Sequence, residues 1–411
     1  MKAVVFTLGC KVNEVESASI MSALEKLGWE VSSSLGYADV YVLNTCAVTR
    51  EAEKKSRQLI ARVRKFNSQA PVYVCGCASE KNSEQFSDRG VKFVCGARDK
   101  QSLLDAIAQD FGCGTRVVAG LPKQVRTRAF IKIGDGCNNF CSYCIIPYLR
   151  GRVSSRPVKD IVDEVARTQA DEVVLTAINI SAYGMDIQSS LTELILALSE
   201  SEKRIRLGSL ECGVIDDEFL KACAGLKDFA PQFHLSLQSG SDKVLKAMNR
   251  HYTRAQYLEK CRLIYKYFPG ASITTDIIAG FCGETDEDFA DSLSIIKEAG
   301  FARVHAFAYS PREGTKAYSL QDIPAPIKDK RLHALIAEGE RAEKEFISLR
   351  EGKVRQVIFE DFDGQYTCGY TPEYIKVYVA GNHHGRADVV LGKAFRDGAM
   401  AEFKDGAAYR L

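Results

Sequence analysis

The sequence predicts an α/β protein in three modules: an N-terminal doubly wound parallel sheet, a central partial (β/α)6 barrel and a small C-terminal β-barrel. Three observations carry this reading. Over residues 1–112, apolar strand-like runs alternate with amphipathic helical stretches, which implies a parallel sheet with helices on both faces. Between residues 113 and 350, six further strand-like runs recur with helical stretches between them. Residues 351–411 change to short β-rich runs broken by glycines and turns. At 411 residues the chain also exceeds what one hydrophobic core usually serves.

In the first module the expected strands are 3–8, 40–44, 72–75 and 91–95. The first helix is signalled by Asn13 and Glu16 at capping-box spacing, by Ile20, Ala23, Leu24 and Leu27 at helical spacing, and by Gly28 as its stop. Sites in such sheets form in the loops at the carboxyl ends of strands. Cys10, Cys46 and Cys77 stand at those ends. A basic connector, residues 113–128, leads to the second module, whose strands are expected at 130–133, 173–176, 205–210, 233–237, 273–278 and 304–308. The helix after Pro157 places Val158, Ile161, Val162 and Val165 on one face. Six units are too few for a closed eight-unit barrel, so a lateral gap open to a large substrate is expected. A turn-rich stretch at 323–326 precedes a charged helix at about 328–350. Runs at 354–360, 375–380 and 388–393 then suggest a small barrel of the oligonucleotide-binding kind.

Composition narrows the function classes. No stretch approaches the roughly 18 apolar residues of a membrane span, so no membrane partner is expected. The N-terminal MKAVVFTLGC turns polar too early for a signal peptide, and a cytoplasmic location is expected. Fourteen cysteines are many for a cytoplasmic chain, where disulfides are rare, so metal binding or catalysis becomes the leading explanation. Cys223 and Cys261, in helical stretches, read as core thiols. Net charge is only +2, but it is unevenly spread. Residues 50–65 hold Arg50, Lys54, Lys55, Arg57, Arg62, Arg64 and Lys65 against Glu51 and Glu53, and residues 113–160 hold Asp135 and Asp160 as their only acids. Such local basic surfaces attract a phosphate backbone. In residues 351–411 acids and bases nearly balance, so charge alone does not mark that module as an RNA binder.

The most specific signal follows the first barrel strand: Gly134-Asp-Gly-Cys-Asn-Asn-Phe-Cys-Ser-Tyr-Cys-Ile-Ile-Pro147. Its C-x3-C-x2-C spacing places Cys137, Cys141 and Cys144 on one short loop. Three thiolates there ligate three irons of a [4Fe-4S] cluster and leave the fourth iron open, a vacancy suited to chelation by the amino and carboxylate groups of S-adenosylmethionine. Zinc sites use four protein ligands, commonly in paired C-x2-C groups. This spacing is asymmetric, and no Cys or His follows within ten residues of Cys144.

On these residues the loop resembles that of the radical S-adenosylmethionine superfamily. The resemblance implies that Tyr143, before the last cysteine, lies near the cofactor's adenine. It also implies that the segment 275–284, with Gly280 and Glu284, and the polar pair Ser236 and Gln238 after the fourth strand contact S-adenosylmethionine. Three further motifs, Leu8-Gly-Cys-Lys-Val-Asn13, Asn44-Thr-Cys-Ala-Val-Thr49 and Gly76-Cys-Ala78, resemble those of the methylthiotransferase N-terminal domain. There, Cys10, Cys46 and Cys77 would hold a second [4Fe-4S] cluster whose open iron presents sulfur. The resemblance spans the whole chain and implies domains at 1–112, 113–350 and 351–411, the last a TRAM domain. Residues 171–186 and 366–379 look like the branch that modifies threonylcarbamoyladenosine in tRNA. The implied activity is methylthiolation of C2 of that base next to the anticodon, with an electron donor such as flavodoxin or ferredoxin. Alternatives are isopentenyladenosine in tRNA, a ribosomal protein, or a non-catalytic iron–sulfur RNA-binding protein. Cys75, two residues before Cys77, competes on paper as a ligand. Arg150 and Arg152, just after the loop, are expected to reach phosphate or a cofactor carboxylate.

Overall fold

The computed structural model describes residues 1–113 and 127–404. The expected basic connector falls almost wholly outside the described residues. Chain contacts divide these residues into two compact units: 1–113 with 135–154 and 310–319, and 127–134 with 155–309 and 320–404. The cysteine loop therefore belongs to the same unit as the N-terminal sheet.

In the first unit, β1 (Lys2–Thr7), β2 (Glu30–Ser32), β3 (Val40–Thr45), β4 (Val72–Gly76) and β5 (Phe93–Val94) form a parallel sheet in the order β2-β1-β3-β4-β5. Its helices are α1 (Lys11–Glu25), α2 (Arg50–Arg64), α3 (Cys77–Lys81), α4 (Glu84–Ser87) and α5 (Lys100–Asp110). Side chains alternate across each strand and build one core on each face. Tyr41, Leu43, Val72 and Val74 pack with Leu59, Ile60 and Val63 of α2, whereas Val40, Val42, Tyr73 and Cys75 pack with α1 and α5. The sheet is thus doubly wound, as predicted. Its strand order reverses between β1 and β3, and ligands of such sheets bind outside the carboxyl ends at that switch point.

One local expectation is corrected. Helix α1 starts at Lys11 with Cys10 as its N-cap, and no side chain caps it. Asn13 and Glu16 lie inside the helix and are buried. Their polar groups are spent on long-range partners, which override a capping role that sequence spacing alone suggests.

Two-residue strands β7 (Gly134–Asp135) and β8 (Ser154–Ser155) bracket the cysteine loop, which carries helix α6 (Ile146–Arg150). In the second unit all six predicted runs are strands: β6 (Arg128–Lys132), β9 (Glu172–Thr176), β10 (Arg204–Leu207) continued by β11 (Ser209–Leu210), β12 (Gln232–Leu235), β13 (Ser272–Ala279) and β14 (Arg303–Ala308). They run parallel in two sheets, β6-β9-β10 and β11-β12-β13-β14, with β6 and β14 the last strands in these orders, so the six units make a partial barrel. Helices α7 (Val158–Arg167), α8 (Leu191–Ala197), α9 (Asp217–Ala224), α10 (Asp242–Ala247), α11 (Arg254–Tyr267), α12 (Asp286–Glu298) and α13 (Ala325–Ser348) complete it. Ala129, Ile131, Val173, Leu175, Ile205, Leu207, Phe233 and Ile273 face these helices in the main core, where Cys223 and Cys261 are buried as expected. The alternate positions Arg128, Lys132, Glu172, Arg204, Arg206, His234, Asp276 and His305 share the other face. Beside Phe130, Val174, Ile278 and Phe307, that face carries many charged and polar groups, unlike the packed apolar interior of a closed barrel.

Strands β15 (Val354–Phe362), β16 (Tyr366–Tyr370), β17 (Lys376–Ala380), β18 (Arg386–Phe395) and β19 (Gly398–Phe403) close a barrel in the order β15-β16-β17-β19-β18. It is the five-stranded Greek-key type. Its β16–β17 turn meets residues at the amino ends of the central strands. Arg206 holds Glu172 through two bonds of 2.6 and 2.9 Å and donates to the carbonyls of Thr371 and Pro372 at 3.3 and 3.0 Å. Arg128 donates to the Tyr374 hydroxyl at 2.9 Å, and the Arg206 guanidinium lies 4.7 Å from the Tyr374 ring. The turn thereby takes up guanidinium donors that the Arg206–Glu172 and Arg128–Glu360 ion pairs leave over.

Candidate metal centre

The three remote cysteines converge because three adjacent strands end in register. Thr7 pairs with Asn44 across β1 and β3, and Thr45 with Gly76 across β3 and β4. Cys10 and Cys46 follow those ends on the loops that flank the switch point, and Cys77 follows as the first residue of α3. Each loop is fixed from the backbone. Asn13 donates to the carbonyls of Leu8 and Thr45 at 2.8 and 3.1 Å, tying the first loop to the second. Ser56 accepts from the Cys46 amide at 3.1 Å and donates to its carbonyl at 3.2 Å. Thr45 donates from Oγ1 to the Cys75 carbonyl at 2.7 Å. Gly9 has φ of +113°, and a Cβ there would lie 3.1 Å from Cys46 Sγ, so only glycine lets the first loop pass beside that thiol.

Does this donor set suit an iron–sulfur cluster? All cysteines are free thiols. Among the described residues no three His, Cys, Asp or Glu side chains converge as closely as a single metal ion demands. A cluster asks for something else: one thiolate per iron, with the ligands held further apart. Cys10 is exposed while Cys46 and Cys77 are buried, so the group of three opens to one side. N–H donors already point at the sulfurs. The Val48 amide bonds Cys46, and Arg150 Nε lies 3.2 Å from Cys77 Sγ. Burial pushes the Cys46 and Cys77 thiols up, Cys77 to about 11, while the Arg150 charge pulls against it. The residues fit a cluster that takes them as thiolates.

Cys75 is not a competitor. It precedes Gly76 on β4, so its side chain lies on the opposite face from Val74, inside the α1/α5 core. There it bonds the Cys95 thiol, which this contact and burial push far up.

The second set lies on the loop in the same unit. Cys137, Cys141 and Cys144 are all partly exposed. The loop is pinned by bonds from the Cys137 amide to the Gly151 carbonyl at 3.1 Å, from the Cys144 amide to the Cys141 carbonyl at 3.0 Å, and from the Ala317 amide to the Ser142 carbonyl at 2.7 Å. Phe140 adopts φ of +48°, with its ring under the Arg152 guanidinium at 4.5 Å and edge-on to Tyr148 at 5.5 Å. Ile145 and Leu149 anchor the loop in the core formed with α2. Gly136 has φ of +71°, and a Cβ there would fall 2.0 Å from the Arg152 carbonyl oxygen. Gly136→Ala should therefore displace the loop and lower iron retention at Cys137, Cys141 and Cys144. Iron analysis after reconstitution checks this, and a full complement would contradict it.

Arg150 corrects an expectation. It is wholly buried and bound to Glu16, Asp135, Asn13 and Cys77, so it reaches neither phosphate nor a cofactor carboxylate. Arg152 covers Phe140. The residues expected to contact S-adenosylmethionine lie partly in the second unit. Tyr143 is half-buried on the cysteine loop. Ser236 bonds Leu210 through its amide, and its carbonyl accepts from Arg250 and Tyr252. Gln238 bridges to β13 with φ of +74°, a strained backbone of the kind found at functional sites. Gly280 and Glu284 form one turn. The Gly280 amide donates to Glu284 Oε2 at 2.8 Å, and Arg331 donates to the same oxygen at 2.8 Å. Burial pushes the Glu284 carboxyl up, and its side chain supports the turn from inside.

Sequence reasoning missed Asn13, Glu16 and Arg150 as one cluster, and also a polar row on the barrel's inner face. His234 lies 3.3 Å from Asp276, and its ring is 5.7 Å from that of His305. The period-two alternation of β12, β13 and β14 was the available signal.

Comparison with known proteins matches residues 131–296 to the radical SAM superfamily and residues 2–96 to the uncharacterized protein family UPF0004. The chain is 35% identical to the threonylcarbamoyladenosine tRNA methylthiotransferase MtaB of Bacillus subtilis, over 95% of this chain and 93% of that one. Its identity to the protein of the same name from Thermotoga maritima is 36%, over 95% and 94%. The tRNA-2-methylthio-N(6)-dimethylallyladenosine synthase of Fervidobacterium nodosum is 36% identical over 88% of each chain. Among solved structures, the radical S-adenosylmethionine methyltransferase TsrM from Kitasatospora setae shares the fold, with a TM-score of 0.54 at 15% identity over 75% of this chain and 76% of that one.

Proposed function

Because the chain belongs to the methylthiotransferase family of radical S-adenosylmethionine enzymes, we propose that it adds a methylthio group to C2 of N6-threonylcarbamoyladenosine next to the anticodon of tRNA. One observation carries this reading: both cysteine sets lie in one compact unit, one on a C-x3-C-x2-C loop and one across three adjacent strand ends. In this reading Cys137, Cys141 and Cys144 hold one [4Fe-4S] cluster, and Cys10, Cys46 and Cys77 hold the other. Bound on the loop, such a cluster supplies the electron that cleaves S-adenosylmethionine and so the radical that an unreactive C2–H bond requires.

The chain's own residues do the positioning. Gly136 and Phe140 hold the loop in its shape, and Tyr143 is the residue that would meet the adenine. In the second unit, Ser236, Gln238 and the Gly280 turn, braced by Glu284 and Arg331, are the residues that would contact S-adenosylmethionine. Gly9 and Asn13 hold the strand-end loops for sulfur delivery. Residues 1–112 thus serve sulfur insertion, 113–350 radical generation and 351–411, a TRAM domain, attachment to RNA. The electron donor would be a carrier such as flavodoxin or ferredoxin, and the site of action is the cytoplasm, where tRNA is. No helix among the described residues is long and apolar enough to cross a membrane.

A second reading, isopentenyladenosine as the substrate base, is favoured by the equal identity to the Fervidobacterium nodosum relative. Nucleoside analysis of tRNA from a deletion strain separates the two. Loss of 2-methylthio-threonylcarbamoyladenosine alone is expected. Its persistence, with loss of the methylthio isopentenyl nucleoside, would overturn the first reading.

A further inference from the structure

Arg150 is a buried cation of the first unit whose donors are all engaged. It ends α6, six residues after Cys144, and it is 0% exposed. A guanidinium has five N–H donors in a rigid fork and does not lose its charge. Each donor has an acceptor here. Nη1 meets Glu16 Oε1 at 2.9 Å and the Asp135 carboxylate at 3.0 Å. Nη2 meets Asn13 Oδ1 at 2.6 Å and Glu16 Oε2 at 3.2 Å. Nε meets Cys77 Sγ at 3.2 Å. Four donors therefore serve oxygens that fix the fork, and the fifth is aimed at a sulfur.

That fifth bond is more than packing. Were Arg150 only neutralising Glu16 and Asp135, its Nε would need no sulfur partner. Asn13 and Glu16 come from α1, Cys77 from the first position of α3, and Asp135 from the start of the cysteine loop. The fork can turn away from Cys77 only by breaking bonds to all of them. The charge is buried, so solvent screens it weakly.

We propose that Arg150 sets the redox poise of the cluster on Cys10, Cys46 and Cys77, by donating a fixed, charge-assisted hydrogen bond to the Cys77 sulfur. This rests on the proposed assignment of those cysteines as ligands. Hydrogen bonds and positive charge at a ligand sulfur stabilise the more negative, reduced cluster and raise its potential. Arg150 is a positioning residue here, because it touches a ligand rather than substrate. Glu16 opposes it: its carboxylate offsets the guanidinium charge close to the same sulfur.

The test uses the full-length protein carrying Cys137→Ala, Cys141→Ala and Cys144→Ala, reconstituted so that one cluster remains. Its potential is read by redox titration followed by electron paramagnetic resonance. Arg150→Lys keeps the charge but loses the Nε donor. It is expected to hold the parent's iron and to shift the equilibrium about tenfold toward the oxidised cluster, about 59 mV for a one-electron couple. Glu16→Gln, which keeps a polar group of the same size, is expected to shift it the other way. A purely structural Arg150 predicts no such opposed pair. Parental potentials in both variants at full iron would overturn the proposal. Should Arg150→Lys fail to hold iron, Glu16→Gln decides by the same criterion. A parent that binds no iron would instead overturn the ligand assignment beneath it.

Discussion

Cys141→Ala protein should retain about half the iron of the reconstituted parent and form no deoxyadenosine when reduced with S-adenosylmethionine. The reasoning is local. Three thiolates on one short loop serve three irons, and the loop offers no substitute ligand. The neighbours of Cys141 are already committed: Phe140 packs under Arg152, and the Ser142 carbonyl accepts from Ala317. Cys10→Ala should give the complementary result, with cofactor cleavage retained and methylthio transfer lost. The reason is that Cys10 stands at a different strand end, in a set built by the register of β1, β3 and β4. Iron content, deoxyadenosine and methylthio nucleoside are measured on both variants. Full methylthio transfer by Cys10→Ala protein would remove the assigned role of the strand-end set.

Breaking the Arg206–Glu172 pair should give the largest loss of stability. Arg206 and Glu172 are both almost fully buried. Arg206→Met would leave a buried carboxylate unpaired, at a cost of about 3–5 kcal/mol. It would also remove the donors to Thr371 and Pro372 and the contact with Tyr374, which hold the C-terminal barrel to the central strands. For a unit of this size that corresponds to a Tm lower by roughly 10 °C. The double variant Arg206→Met/Glu172→Met should recover much of the loss, since replacing a buried ion pair by apolar groups is often close to neutral. Its recovery should stay incomplete, because the two carbonyls remain without their donor. Calorimetry on the three proteins checks this, and a double variant no more stable than the single would show that the pair itself matters little.

The chain's local patterns carried much of the architecture. Apolar periodicity predicted all six central strands and four of the five N-terminal ones, because alternation and helical spacing are written over a few consecutive residues. The short β2 escaped, having three residues and too little pattern. Cys137, Cys141 and Cys144 were legible for the same reason: three residues separate the first from the second and two the second from the third, so spacing alone constrains what they can hold. Cys10, Cys46 and Cys77 were legible only through resemblance, since nothing local relates positions more than thirty residues apart.

What spacing could not decide was partnership. Asn13 and Glu16 satisfy a capping pattern, yet they lie buried inside α1 because Arg150 and the strand-end carbonyls need them. Arg150 looks like a surface base beside a basic stretch, yet it is enclosed by acids that arrive from α1 and from the start of the cysteine loop. The C-terminal barrel was foreseen as a module, but its grip on the amino ends of the central strands depends on Arg128 and Arg206 pointing inward in register.

The sequence by itself therefore determined which chemistry the cysteine loop can carry and which elements the chain forms, because both rest on short-range spacing. Only the tertiary structure decided that the three remote cysteines follow three adjacent strand ends, that both cysteine sets lie in one unit, and that a buried guanidinium bonds one of the six sulfurs. Those outcomes depend on strand register and on the pairing of buried charges, which involve residues far apart in the chain.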